Sequence, residues 1–204
     1  EFLDFDEAEA VLESTPPEWR LLVWTALRTG LRRAELFELR WRDLQLDPSR
    51  RPHVRVRRAL EYRADGSIAV KSTKSNQPRT VPLTGRLAAA LLHERDRAQP
   101  RDRELVFPGE GGGYLVYKQV HRMLRQTAER AGVQKPARLH VLRHTFASHC
   151  YMRGVPPQVV QKWLGHSSVV MTERYAHLRP DAGDGLIDVL EETLAHASPK
   201  SVHL

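Results

Sequence analysis

Hydrophobic periodicity changes twice along the chain, and these changes limit the possible folds more than any other feature. Residues 53–83 contain three short segments in which apolar and polar side chains alternate, as they do in half-exposed β-strands. The sequence on either side instead carries the Pro, Ser, Thr and Gly boundary residues of helices. A chain of 204 residues in this order is predicted to fold as an α+β domain, mostly α-helical, with a small three-stranded antiparallel β-sheet.

The sheet is predicted from three alternating segments and the turns between them. The strands are expected at His53–Arg58, Ser67–Lys71 and Arg79–Leu83. Asp65-Gly66 and Ser75–Pro78 have turn-forming residue types and separate these strands.

The helices are predicted from signals at their ends. Asp, Ser and Thr side chains cap a first turn, Pro fits a first turn because no N–H is needed there, and Gly ends a helix in a left-handed conformation. On this basis helices are expected from Asp4 or Asp6 through Leu12, from Pro17 to Gly30, from Thr84 to about Ala98, from about Val116 to Arg130, from Arg138 to Met152, and from Pro156-Pro157 through Leu164. A further helix is expected to begin at Ser167 or Ser168 and to carry Tyr175.

The charge of the chain favours a polyanionic partner. The formal net charge is +7 and the isoelectric point is about 9.9, and each Lys or Arg that neutralises a phosphate releases condensed counterions. The sequence has no apolar run of about eighteen residues, the length that a membrane-spanning helix requires. The single cysteine, Cys150, has no partner for an internal disulfide, which fits a reducing compartment. We therefore expect a cytoplasmic protein that contacts nucleic acid and no membrane.

Four short groups of residues stand in an order that suits attack on a phosphodiester. They are Thr29-Gly30-Leu31-Arg32, His140-Val141-Leu142-Arg143, Leu164-Gly165-His166 and Tyr175-Ala176-His177. Counting along the chain, Arg143 follows His140 by three residues, and Tyr175 follows His166 by nine. A helix brings residues three apart onto one face, so His140 and Arg143 can contact the same ligand. Lys74 adds a cation in the polar turn between two predicted strands.

These groups and their intervals resemble those of the tyrosine recombinase, or phage integrase, family of DNA strand-exchange enzymes. The resemblance extends from Phe5 to Leu178, and the motifs occur in the order that the family uses. It implies a site-specific recombinase that cuts and rejoins double-stranded DNA through a 3′-phosphotyrosine intermediate. It also implies a homotetramer on DNA, a monomer without DNA, and no cofactor. Neither ATP nor a metal is required, since the energy of the broken bond is kept in the phosphotyrosine ester.

The resemblance assigns a role to each polar residue of the motifs. Arg32 and Arg143 clamp the non-bridging phosphate oxygens, a task that suits the planar and permanently charged guanidinium. His140 hydrogen-bonds the phosphate and accepts the tyrosine proton, while His166 donates to a non-bridging oxygen. Tyr175 is the nucleophile.

A lysine before the third strand is the candidate general acid. Lys74 stands seven residues before Val81, an interval that resembles the family's own. A lysine can give up a proton when its surroundings lower its pKa, so Lys74 would protonate the departing 5′ oxygen. Lys71 is the alternative, because the length of this hairpin varies.

Two features of the helix that begins near Arg138 allow other interpretations. Val141 departs from the family pattern, in which an acidic residue often stands between the His and the Leu. His140 and His144 have a spacing that could bind zinc, but no Glu follows His140 as it does in the His-Glu-x-x-His pattern. Zinc is therefore disfavoured.

The resemblance predicts two regions in the chain. Residues 1–179 correspond to the catalytic domain, and residues 180–204 to a C-terminal tail. Apolar residues between Leu186 and Leu194 could dock the tail on a neighbouring protomer or pack it against its own domain. The family's helical core-binding domain is absent from this sequence, so we expect the chain to be the catalytic half of a longer protein.

Two other functions stay open at the level of the sequence. A type IB topoisomerase-like enzyme would use the same residues to relax one duplex without strand exchange. A catalytically silent DNA-binding module would keep the basic surface and lack a correctly placed Tyr175 or Lys74.

Overall fold

A computed structural model describes residues 1–72 and 78–165 of the chain. Lys74, His166, Tyr175 and the predicted tail at 180–204 lie outside these residues. Within the described ranges the helices are α1 (Phe5–Ser14), α2 (Pro17–Thr29), α3 (Arg33–Phe37), α4 (Gly85–Ala98), α5 (Tyr117–Arg130), α6 (Leu139–Met152) and α7 (Pro157–Leu164). The strands are β1 (Leu44–Gln45), β2 (His53–Val56), β3 (Arg58–Tyr62), β4 (Ile68–Ser72) and β5 (Arg79–Pro82). The predicted class, a mostly helical α+β domain with little antiparallel sheet, is confirmed.

Local capping explains where the helices begin and end. Asp4 caps α1 through an Oδ1 that accepts from the Glu7 N–H at 2.8 Å, and the Asp4 N–H donates to Oε2 of Glu7 at the same distance. Pro17 occupies the first turn of α2, and Gly30 ends that helix with a φ of 60°. The predicted boundaries of α2, α4, α6 and α7 therefore agree with the structure to within about two residues.

The strands divide into two small sheets, which differs from the single sheet expected. One sheet has the order β1-β2-β5, and β3 pairs with β4 as a separate hairpin. The strand expected at Ser67–Lys71 thus belongs to the hairpin, and β1 provides the third strand of the larger sheet. Strand pairing is decided by contacts between distant segments, which the alternation of a single strand does not specify.

The chain leaves the first sheet at Arg57 because the side chain of the next residue, Arg58, is bound by two acidic residues outside that sheet. Val54 and Val56 are buried in the core. Arg58 then turns to a buried acidic pair, donating from Nε to Glu38 at 3.3 Å and from Nη2 to Asp43 at 2.5 Å. The segment expected to be one strand is therefore two.

Helix α6 lies at the centre of the packing and carries two of the candidate site residues. It packs against α2 on one side and α7 on another. Thr145 Oγ1 accepts from the Leu3 N–H at 3.0 Å, and His149 Nε2 is bonded to the Leu3 carbonyl oxygen at 2.9 Å, so the N-terminal segment is fastened to α6. Tyr151 is only 1% exposed, which leaves its phenol no access to a ligand. None of the helices in the described ranges has the length and apolarity needed to cross a membrane.

Candidate active site

Arg32 and Arg143 converge on the C-terminal end of α7. Arg32 precedes α3 and donates from Nη2 to the Gly165 carbonyl oxygen at 2.8 Å. Arg143, on α6, donates from Nη2 to the Leu164 carbonyl oxygen at 2.8 Å and from Nη1 to the Gly30 carbonyl oxygen at 2.5 Å. Two arginines from distant parts of the chain are thus brought together immediately before His166.

Gly30 is required at this junction for conformation and for space. Its φ of 60° lies in the left-handed region that side chains disfavour. A Cβ there would lie 2.5 Å from Cδ1 of Phe146 and 2.8 Å from Cδ2 of Leu164. The glycine therefore allows α2 to end against α6 and α7, with its carbonyl within reach of Arg143.

His140 lies in the first turn of α6 and faces a cleft beside Arg32. The cleft has a volume of about 320 Å³ and is lined by Arg32, Arg33, Ala34, Tyr117, Leu139 and His140. His140 is exposed overall, but partial burial of its ring lowers its pKa, and the positive charge of Arg138 lowers that pKa further. The imidazole is therefore neutral at physiological pH, the form that can accept a proton.

Glu35 is a buried carboxylate that joins Arg32 to a second arginine. Its Oε2 accepts from the Arg32 backbone N–H at 2.8 Å and from Arg79 Nη2 at 2.6 Å. Its Oε1 accepts from Arg32 Nη1 at 3.2 Å and from Arg79 Nη1 at 2.7 Å. Burial alone would raise the pKa of the Glu35 carboxyl, but the hydrogen bonds and charge of Arg79, helped by Arg32, hold that pKa below its usual value. Glu35 is ionised and oriented by two cations.

Glu35 and Arg79 belong to none of the sequence motifs that indicated the site, although the sequence does contain a signal for Arg79. Strand side chains alternate between faces, so Arg79 shares a face with Val81, which is fully buried. A guanidinium on the inner face of a strand requires a buried acidic partner. That partner, Glu35, is distant in sequence and could not be identified from local spacing.

The hairpin that leads to Lys74 is held by two kinds of cationic contact. Lys71, the alternative general acid, donates from Nζ to Oε1 of Glu61 on β3, and this contact lowers the pKa of the Glu61 carboxyl. The Arg33 guanidinium lies 5.2 Å from the ring centroid of Tyr62 in the hairpin and 4.4 Å from that of Tyr117 in α5. The hairpin is thus attached to α5 through a cation between two aromatic rings.

The zinc alternative gains no third ligand from the described part of the chain. His140 and His144 have ring centroids 6.3 Å apart in an edge-to-face arrangement. Across residues 1–72 and 78–165, no group of three or more His, Cys, Asp and Glu side chains is arranged to hold a metal ion.

The chain is similar to known proteins over most of its length. The model of the phage integrase family matches residues 1–181. Tyrosine recombinase XerC of Xanthomonas axonopodis pv. citri (strain 306) is 36% identical over 183 residues, which are 86% of this chain and 53% of that protein. The chain therefore spans about half the length of this curated relative.

Solved structures share the fold over nearly the whole chain. The catalytic domain of bacteriophage HP1 integrase has a TM-score of 0.66 at 26% identity, covering 97% of this chain and 98% of that one. A Tn1549 transposon integrase in complex with circular intermediate DNA has a TM-score of 0.73 at 20% identity, covering 95% of this chain and 67% of that one. Together with the family model, which matches all but the last part of the sequence, these findings show that the chain belongs to the phage integrase family.

Proposed function

We propose that this chain is the catalytic part of a site-specific tyrosine recombinase that cuts and rejoins double-stranded DNA one strand at a time. The observation that carries the proposal is the convergence of Arg32 and Arg143 on the Leu164 and Gly165 carbonyls, directly before His166. These carbonyl contacts hold the two guanidinium groups near each other before any phosphate is bound. A scissile phosphate needs such a pair, because negative charge builds on its non-bridging oxygens during attack.

Each proton and each bond in the proposed reaction has an assigned residue. The Tyr175 oxygen attacks the phosphorus while its proton passes to His140, and a 3′-phosphotyrosine forms. Arg32, Arg143 and His166 stabilise charge on the non-bridging oxygens. The bond to the 5′ oxygen breaks, and that oxygen takes a proton from Lys74, or from Lys71. The 5′ hydroxyl then attacks the phosphotyrosine of a partner duplex and gives its proton to the lysine. The bond between phosphorus and the Tyr175 oxygen breaks, and the tyrosine takes back a proton from His140. One ester replaces another in each step, so no bond energy must be supplied by ATP and no metal is required.

The proposed partners follow from charge and from relatives. The net charge of +7 suits a polyanion, and a Tn1549 integrase of the same fold is described in complex with DNA. We infer double-stranded DNA as the substrate, a tetramer as the assembly that exchanges four strands, and the cytoplasm as the place where the DNA is met. Residues 1–179 would supply the chemistry and residues 180–204 contacts within or between protomers.

Covalent trapping tests the reaction and its nucleophile together. The protein is expressed from its complete reading frame and mixed with a library of nicked duplexes made from the genome that encodes it. We expect a DNA–protein adduct that survives denaturation, whose DNA identifies the cleavage site and whose modified peptide contains Tyr175. Tyr175→Phe should abolish the adduct.

Tyr62→Phe is the matched control, because it also removes one hydroxyl but keeps a ring that is 44% exposed and contacts Arg33. It should form the adduct at the wild-type rate. An adduct that persists in Tyr175→Phe would show that the nucleophile is misassigned. Relaxation of supercoiled plasmid without exchange between duplexes would indicate a topoisomerase-like enzyme, and binding without an adduct would indicate a silent DNA-binding module.

A further inference from the structure

We propose that Arg79 is a positioning residue for strand cleavage, which aligns Arg32 through Glu35 and fixes the end of α7 just before His166. The inference rests on the proposed function, since it concerns the rate of the cleavage step. Arg79 belongs to none of the four motif groups and lies at the start of β5, opposite Val56 in the register of the sheet.

Each nitrogen of the Arg79 guanidinium is already bonded within the protein, and the side chain is too buried to clamp a phosphate. Its Nη1 and Nη2 form a two-pronged pair with Glu35 at 2.7 and 2.6 Å, and its Nε donates to the Trp163 carbonyl oxygen at 2.7 Å. Its side chain is only 10% exposed, whereas that of Arg32 is 43% exposed. Any effect of Arg79 on DNA cleavage must therefore pass through the groups that it holds.

The first group is Glu35, and through it Arg32. Both carboxylate oxygens of Glu35 are shared between the two arginines. The cluster of Glu35, Arg32 and Arg79 has one negative and two positive charges, and therefore a net charge of +1. Because Arg79 is buried against Glu35, the cation that stays available to a ligand is the more exposed Arg32. If Arg79 were removed, Arg32 alone would have to neutralise the buried Glu35 carboxylate. Arg32 would then be drawn towards Glu35 and away from a phosphate.

The second group is the last turn of α7. The carbonyls of Trp163, Leu164 and Gly165 accept, in that order, from Arg79, Arg143 and Arg32. Carbonyls at a helix C-terminus lack partners within the helix and attract cations. The three arginines therefore act as one cap, and they determine where the chain leaves α7 towards His166.

Gly165 allows Arg79 to approach this turn closely. A Cβ at Gly165 would lie 3.0 Å from Cδ of Arg79 and 3.1 Å from both Nε and Nη1. Its φ of 64° also disfavours any side chain. The glycine in Leu164-Gly165-His166 thus makes room for the Arg79 guanidinium.

The test measures cleavage and binding separately in the complete protein. Arg79→Lys keeps the charge but cannot bond both Glu35 oxygens and Trp163 at once. On the duplex identified by trapping, we expect the single-turnover rate of adduct formation to fall roughly 100-fold, the effect of an ångström-scale misplacement. DNA affinity should change by about twofold at most, because the buried Arg79 touches no DNA.

Arg58→Lys is the matched control. Arg58 is also a strand arginine in a buried acidic network, with Glu38 and Asp43, but it does not contact α7 or Arg32. Its rate should stay within about threefold of wild type at a temperature where circular dichroism shows both variants folded. An equal loss in both variants would mean that Arg79 acts only through stability, and the inference would be wrong.

A double-mutant cycle on the cleavage rate distinguishes a positioning role of Arg79 from a purely structural one. If Arg79 acts through Arg32, Arg79→Lys should cost much less in an Arg32→Ala background than in wild type. Additive losses would overturn the inference.

If Arg79→Lys does not fold, Arg79→Met with Glu35→Leu replaces the buried pair by apolar residues of similar volume, a change that proteins tolerate. This double variant should fold and cleave slowly.

The outcomes separate the inference from the proposed function. An adduct in wild type together with a normal rate in Arg79→Lys would remove the inference alone. Absence of an adduct in wild type would remove the proposed function, and the positioning role in cleavage with it.

Discussion

Arg143 is a side chain for which shape matters more than charge. Its two terminal nitrogens donate to the Gly30 and Leu164 carbonyls, which belong to different segments of the chain. A planar fork makes both bonds from one rigid group, whereas an ammonium is a point charge on a flexible stem. The orientation of Arg143 is therefore built into the fold.

We predict that Arg143→Lys retains most of the DNA affinity but loses about 100- to 1000-fold in cleavage rate, the range seen when one pre-oriented donor is removed. Filter binding and single-turnover adduct formation measure the two effects. Arg153→Lys serves as the control, since position 153 is about 15 Å further along the axis of α6. Equal losses of binding and cleavage would reduce Arg143 to a phosphate anchor.

His140 gives a prediction for pH. A base must be unprotonated, and the partly buried His140 has a pKa below the usual 6.5. As pH falls, the cleavage rate should therefore decline with a midpoint below 6.5. The rate of adduct formation measured as a function of pH shows this decline. His140→Gln should react slowly at every pH and should not show the decline. A midpoint above 6.5 would contradict the role of His140 as proton acceptor.

At the scale of elements, the β3–β4 hairpin contains Lys71, one of the two candidate acids, and ends at Ser72, two residues before Lys74 in the sequence. It is attached to the body by Arg33 between Tyr62 and Tyr117. Lys71 within it is paired with Glu61. That contact holds Lys71 Nζ against β3, which favours Lys74 as the proton donor.

A substrate with sulfur in place of the bridging 5′ oxygen tests this assignment, because a thiolate leaves without a proton. We predict that it rescues cleavage by Lys74→Ala and leaves Arg32→Ala slow, since the arginine stabilises charge on oxygens that the sulfur does not change. Rates on the oxygen and sulfur substrates are compared for Lys71→Ala as well. If the sulfur substrate rescues Lys71→Ala alone, Lys71 is the general acid. If it rescues neither variant, both lysines only contact the DNA groove.

The elements also show which parts of a fold can be predicted from one sequence. Caps and stops such as Pro17, Gly30 and Thr84 act within one turn, so the helix boundaries could be predicted from neighbouring residues. The division of residues 53–62 into two strands depends on Arg58 reaching Glu38 and Asp43, a contact that local alternation does not contain. Likewise, the motifs that contain Arg32 and Arg143 indicated candidate site residues, whereas no local pattern links Arg79 with Glu35, which lies 44 residues earlier in the chain.

At the scale of the whole molecule, the excess of positive charge should appear in the salt dependence of DNA binding. Each phosphate contact contributes a slope of about −0.9 to the logarithm of the affinity against the logarithm of the salt concentration. Arg32→Gln should make the slope shallower by about one, and Arg153→Gln, about 20 Å from His140 along α6, should not. Titrations at several salt concentrations measure both slopes, and identical slopes would exclude Arg32 from phosphate contact.

Two of the glycines with a left-handed backbone, Gly30 and Gly165, have a consequence for how this protein can evolve. Gly30 is crowded by Phe146 and Leu164, and Gly165 by Arg79. A side chain at Gly30 would overlap Phe146 and Leu164, and one at Gly165 would require the Arg79 side chain to shift by a few tenths of an ångström. A substitution at position 165 is therefore expected to be accompanied by a change at position 79.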